Sequence, residues 1–185
     1  MANLFDWKAG KYIAFMGKIA ERITPEQGEA MLANPAIIDG MIAAIGVDGP
    51  VIVDCDAAPF CPGGWEVVEH REGDSFDLSE VGIDLFVSEK QKTGRVKGED
   101  LRSIIADQPA LNANVLDHLL AHPRLIPGGW KDKTVFFWGT IYRSRDGNLY
   151  VRCLYRGGGW WNWSYRWLVS DWSSNDPAAV RASSA

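Results

Sequence analysis

Between residues 160 and 167 the sequence reads WWNWSYRW, and no other stretch limits the fold so tightly. Trp161, Trp163, Tyr165 and Trp167 occupy every second position, with Asn162, Ser164 and Arg166 between them. Successive side chains of a strand point to opposite faces, so this run predicts a strand with an aromatic wall on one side and small or polar groups on the other. The expectation is that Trp161, Trp163 and Trp167 are mostly buried and that Asn162, Ser164 and Arg166 are exposed. A rigid aromatic base under an adaptable polar face is also a way binding surfaces are built. Five of the nine tryptophans fall between Trp160 and Trp172, so the stretch from Asp146 to Val180 is what the rest of the chain presents.

At 185 residues the chain has room for one good core and a small appendage. A hydrophobic content of 46% and a charged content of 23% are those of an ordinary globular protein. The net charge of -5 argues against a general binder of nucleic acid or anionic membranes. No apolar run approaches a membrane span, and the N-terminus lacks the charged-then-apolar order of a signal peptide. Three cysteines without regular spacing predict no disulfide framework. A reducing, cytoplasmic setting is expected, with export by a route that needs no signal peptide left open.

Residues 4–46 read as helical, because Phe5, Tyr12, Phe15, Met16, Ile19 and Ile23 recur at helical spacing. Thr24 and Gln27 form a capping-box pattern around Pro25, Asn34-Pro35 marks a second helix start, and Gly46 suits a left-handed cap. This module, residues 1–47, either docks on the domain C-terminal to it or mediates self-association. The DGP turn at 48–50 is the expected boundary with that second domain, over 51–185.

In the second domain VIVDC (51–55), WEVVEH (65–70) and IDLFVS (83–88) read as strands, and QKTGRVKG (91–98) as a basic loop. EDLRSIIAD and LNANVLDHLLAHP read as helices, the second capped by Asn112 or Asn114. TVFFWGTIYR, NLYVRCLY and WWNWSYRWL then form a meander joined by SRDG and by three glycines. The predicted class is α+β, with two helices on a largely antiparallel sheet. The order strand, helix, helix, meander suits a C-type-lectin-like arrangement; a plain α+β sandwich is the alternative.

Sites of chemistry are scarce. Asp54, Cys55, Asp56, Cys61 and His70 can be drawn as a metal cluster, but their spacing lacks the paired ligands of structural zinc. His118 and His122 stand four apart on a helix, yet Leu119 occupies the place where the catalytic motif carries glutamate. No nucleophile elbow or phosphate loop occurs, and the GGG at 157–159 precedes a strand rather than a helix. The expectation is therefore no catalytic residue, no metal and no cofactor. The rival reading is a small metal-dependent enzyme using Asp54, Asp56 and His70. Exposed tryptophans also allow stacking on sugars or bases. Arg143, Arg145, Arg152, Arg156 and Arg166 are too modest a cluster to make nucleic acid more than a minor alternative.

The segments LNANVLDHLLAHPRLIPGGWK, VFFWGTIYR, DGNLYVRCLY, WWNWSYRWL and DWSSNDPAAV resemble uncharacterised proteins of ultrasmall candidate-phylum bacteria, and through them the variable proteins of diversity-generating retroelements. In such systems a reverse transcriptase copies a template with errors at adenines and writes the result into the end of a target gene. The targets mostly have a C-type-lectin fold and display the diversified residues as a ligand-binding surface. The resemblance implies a variable region over about 146–180 and a protein or other macromolecular ligand.

The genetic code bears on this. Tryptophan codons lack adenine, so adenine-directed change leaves Trp161, Trp163, Trp167 and Trp172 intact, while Leu168, Pro177, Ala178 and Ala179 also have adenine-free codons. Asparagine codons carry adenine at their first two positions, and changing them yields residues of the kind found at Asn162, Ser164, Arg166, Val169, Ser170, Asp171, Ser173, Ser174, Asn175 and Asp176. With Arg156, Gly157 and Trp160 these are the expected ligand-binding positions; an arginine codon with a single adenine becomes tryptophan, which accommodates Trp160. Trp138, Trp161, Trp163, Tyr165, Trp167 and Trp172 are the expected scaffold.

Overall fold

A computed structural model describes residues 21–33, 51–73, 75–78 and 82–182. Its contacts divide the chain into two units, Met1–Gly49 and Pro50–Ala185. In the first, helix α1 spans Pro25–Ala33. Thr24 N–H donates to Gln27 Oε1 at 2.8 Å, and Gln27 N–H donates to Thr24 Oγ1 at 3.3 Å, which closes the capping box. The other helical expectations for residues 4–46 lie outside the described residues.

The second unit is a mixed α+β domain. Its elements are β1 (Ile52–Asp54), β2 (Glu66–His70), β3 (Ser75–Asp77), β4 (Ile83–Phe86), α2 (Glu89–Thr93), β5 (Val96–Lys97), α3 (Gly98–Ile105) and α4 (Ala113–Ala121). After two short 3-10 turns come β6 (Thr134–Arg143), β7 (Leu149–Gly157), β8 (Trp160–Trp167), β9 (Asp171–Trp172) and β10 (Ala178–Arg181). The main sheet runs β4-β10-β6-β7-β8, and β2 lies against the far end of β6. All its pairings are antiparallel except β10 with β6. The segment read as a basic loop, 91–98, in fact holds most of α2 and β5, because Ser88 and Gln91 form a second capping box.

Each face of the sheet carries a core. On one, Val115, Leu116 and Leu119 of α4 pack with Val135, Phe137, Leu154, Trp130, Val53 and Phe76. On the other, Leu101 and Ile105 of α3 pack with Phe136, Trp138, Ile141, Val151, Cys153, Leu168 and Trp172. The change of parity between Phe136 and Ile141 reflects a bulge in β6. It lets Gly139 meet the start of α4, where its N–H donates to Leu111 O at 2.9 Å. Asn112 caps α4, its Oδ1 accepting from Asn114 N–H at 3.2 Å. Gly158 and Gly159 turn β7 into β8 with φ of 62° and 87°, the left-handed pair that a two-residue hairpin turn requires. No helix among the described residues is long and apolar enough to cross a membrane.

Candidate functional site

β8 is the edge of the sheet, and its two faces meet different surroundings. The register Leu154↔Trp163, Cys153↔Ser164 and Val151↔Arg166 sets the odd-numbered residues on the α4 side and the even-numbered ones on the α3 side. The alternation predicted for this strand is present, but the expected burial is not. Trp163 and Trp167 are each 41% exposed, and Trp161 and Tyr165 are half-buried. The reason is position: α4 covers the middle of the sheet, and at the edge it is the segment around Phe60 and Trp65 that reaches over the aromatics. Phe60 meets Trp163 edge-on with ring centroids 5.9 Å apart, and Trp65 lies 4.8 Å from both Tyr150 and Tyr165.

Under these rings lies a charge. Arg152 is 1% exposed and binds Asp117 of α4 through two hydrogen bonds of 2.9 and 2.6 Å. Its guanidinium sits 4.6 Å from the Trp163 ring centre and 5.5 Å from that of Phe60. Burial opposes the Arg152 charge, but the bonds from Asp117 more than offset it and hold the arginine pKa above its usual value. The same burial raises the Tyr142 phenol to about 12 and pushes the Tyr165 phenol well above its ordinary range. Both therefore stay protonated near neutral pH. By hydrogen-bond geometry neither phenolic oxygen has a partner among the described residues, nor does Arg152 Nε.

The even face continues into the loop from Leu168 to Pro177. Trp160 is 78% exposed and Ser164 is exposed, whereas Asn162 folds back to donate to Gly157 O and Trp160 O. Arg156, Val169, Asp171, Ser174 and Asn175 are exposed, and Gly157, Ser170 and Ser173 are half-buried. Asn162, half-buried, departs from the expected exposure, and so do Arg166 and Asp176. Arg166 is half-buried, stacked 4.7 Å over Phe136 and 5.1 Å over Trp172, and pairs with Asp176 at 2.6 Å. Asp176 is 8% exposed, because its second oxygen also accepts from the N–H and hydroxyl of Ser173. The loop folds back onto the sheet and brings Asp176 against Arg166 of β8.

Arg166 and Asp176 thus form one unit rather than two free positions. In a double-mutant cycle of Arg166→Met and Asp176→Asn, measured by urea unfolding, the coupling should be about 1–2 kcal/mol. Additive effects would mean independent positions.

Leu168, Trp172 and Pro177 of the loop and Ala178 and Ala179 of β10 are all buried. Trp172 packs 4.2 Å from Phe136 and 4.8 Å from Trp138. Gly98 at the start of α3 permits this approach, since a Cβ there would stand 2.4 Å from Leu168 O and 2.5 Å from Trp172 Nε1. Cys153, beneath Ser164, is free and buried, and burial raises its thiol to about 11, far from thiolate chemistry.

The other drawn sites hold structure together. Asp54 Oδ1 accepts from the N–H groups of Asp56 and Ala57, and Cys55 lies in the core. His70 bridges Thr140 Oγ1 and Cys55 O, each at 2.9 Å. Cys61 is half-buried near the aromatic face, where burial raises its thiol pKa. Among the described residues no three His, Cys, Asp or Glu are placed to share a metal ion. His118 of α4 and His122 at its C-cap stack at 4.5 Å, and burial followed by the neighbouring imidazole lowers the His118 pKa.

Sequence reasoning missed Phe60, Gln91 and Lys97. Lys97 pairs with Asp171 at 2.9 Å, and Gln91 holds the 173–176 turn. The Ser88-x-x-Gln91 spacing, the same capping-box pattern as Thr24 and Gln27, was the signal for Gln91. No protein-family model matches the chain, and no curated protein or solved structure does.

Proposed function

We propose that this is a non-enzymatic ligand-binding protein, the variable protein of a diversity-generating retroelement. It binds a protein or other macromolecular ligand through the even face of β8 and the loop after it. One observation carries the reading: from Leu168 to Ala179, with Asp176 the exception, residues with adenine-free codons are buried and those reachable by adenine-directed change are exposed or half-buried. Leu168, Trp172, Pro177, Ala178 and Ala179, which have adenine-free codons, are buried. Ser164, Val169, Asp171, Ser174 and Asn175, whose residue types arise by adenine-directed change, are exposed. A core tolerates few substitutions and a surface many, so such a division lets sequence vary without loss of fold.

The same reading takes the domain as C-type-lectin-like. Its support is the element order: β4 and β10 pair antiparallel, and between them come the helices α2, α3 and α4 and then the meander β6-β7-β8.

A second reading is favoured by the exposure of Phe60, Trp163 and Trp167, which together suit stacking on a ring-bearing ligand such as a sugar. The two readings separate at the gene. A retroelement target lies beside a reverse transcriptase and a near-copy of its own 3′ coding segment, with differences confined to template adenines. A locus without that copy would leave the aromatic face as the better candidate.

A further inference from the structure

We propose that Gln91 is the positioning residue that lets the 173–176 turn change its sequence without changing its place, an inference that rests on reading this loop as the variable surface. Gln91 is 2% exposed and lies in α2, outside the variable segment. Its Oε1 accepts from Ser88 N–H and from the Ser88 hydroxyl, each at 3.1 Å. Its Nε2 donates to Ser173 O at 2.9 Å and to Asp176 O at 3.1 Å. All the hydrogen-bonding capacity of the amide is therefore used, and its orientation is settled: the oxygen must face the Ser88 N–H and the nitrogen the two carbonyls.

What matters is which atoms of the turn Gln91 grips. Both acceptors are main-chain carbonyls, which every residue type carries. The neighbouring attachments have the same character. Thr134 N–H donates to Asn175 O at 3.0 Å, Phe136 N–H to Pro177 O at 2.9 Å, and Gly98 N–H to Ser170 O at 3.3 Å. By contrast, the staple inside the turn depends on the Asp176 carboxylate, which accepts from the Ser173 N–H and hydroxyl; it is lost when Asp176 changes and weakened when Ser173 does. The carbonyl clamp then holds the turn's two ends where the side-chain staple no longer does. A surface that must present different side chains from one anchored backbone requires an attachment of this kind.

Gln91→Glu separates clamp from cap. Glutamate serves the capping box as well as glutamine does, so α2 keeps its start. Its second carboxyl oxygen, however, faces two carbonyl oxygens; as a carboxylate it donates to neither, and protonated it donates to one at most. In the full-length protein, amide hydrogen exchange of Q91E should be about tenfold faster at Asn175 and Asp176 and unchanged over 89–93. Exchange equal to wild type at both places would reduce Gln91 to a helix cap and overturn the proposal.

A second variant keeps Gln91 and does not depend on Q91E folding. In the triple variant Ser173→Ala, Ser174→Ala, Asn175→Ala the amides of Thr134 and Phe136 should keep their protection within about twofold. Loss of that protection would show that the turn's own side chains place it, and would equally overturn the proposal. Neither measurement consults the gene locus. A missing template copy would remove the retroelement reading and leave these results standing, whereas a wild-type Q91E profile would remove the clamp whatever the locus contains.

Discussion

Replacing Asp117 with asparagine should destabilise the protein by about 3 kcal/mol, out of all proportion to its place on a half-exposed helix surface. Its partner Arg152 is 1% exposed, so the substitution leaves a cation buried without a counter-charge. Such a loss costs about 3–5 kcal/mol, and the lower end applies here because the Asp117 side chain is 39% exposed and water reaches that side of the pair. Combining Asp117→Asn with Arg152→Met should recover much of the loss, since the buried charge is then gone. Urea unfolding of the two variants decides it. An Asp117→Asn protein within about 0.5 kcal/mol of wild type would mean that the Arg152 charge is not confined by its surroundings.

Trp172→Ala should cost about 3–5 kcal/mol, because the ring is fully buried between Phe136, Trp138 and Arg166 and its removal leaves a cavity at the loop's anchor. Trp163→Ala should cost about 1–2 kcal/mol, since that ring is already 41% exposed and loses its contacts with Phe60 and Arg152 rather than a core position. Thermal and urea melts of the pair test the ranking directly. Equal losses would restore the expectation that the odd face of β8 is core.

That expectation shows where local pattern stops being informative. The meander is legible in the chain because its strands alternate and its turns carry glycine at the required places, as at Gly158 and Gly159. The helices are legible from Asn112 as a cap and from Leu101, Ile105, Leu116 and Leu119 at helical spacing. The alternation along β8 also gives its two faces correctly.

What no alternation reveals is how far a cover extends over each face. Here that depends on β8 being the sheet edge and on residues as distant as Phe60 and Trp65. β10 escaped notice for a similar reason. Ala178, Ala179 and Val180 carry no alternation, and they form a strand because the partners β4 and β6 lie on either side. Arg166 and Asp176 look like any two polar surface residues until the loop closes and brings them to 2.6 Å.

The central claim is that from Leu168 to Ala179, Asp176 apart, changeable residues occupy the tolerant surface and unchangeable ones the core. Sequencing this gene from many cells of one population tests it most directly. Substitutions should concentrate in the codons of Ser164, Val169, Ser170, Ser174 and Asn175 and spare those of Trp161, Trp163, Trp167, Leu168, Trp172 and Pro177. Changes at Arg166 should appear together with changes at Asp176. Substitutions spread evenly along the chain, or absent from residues 156–176, would contradict the account.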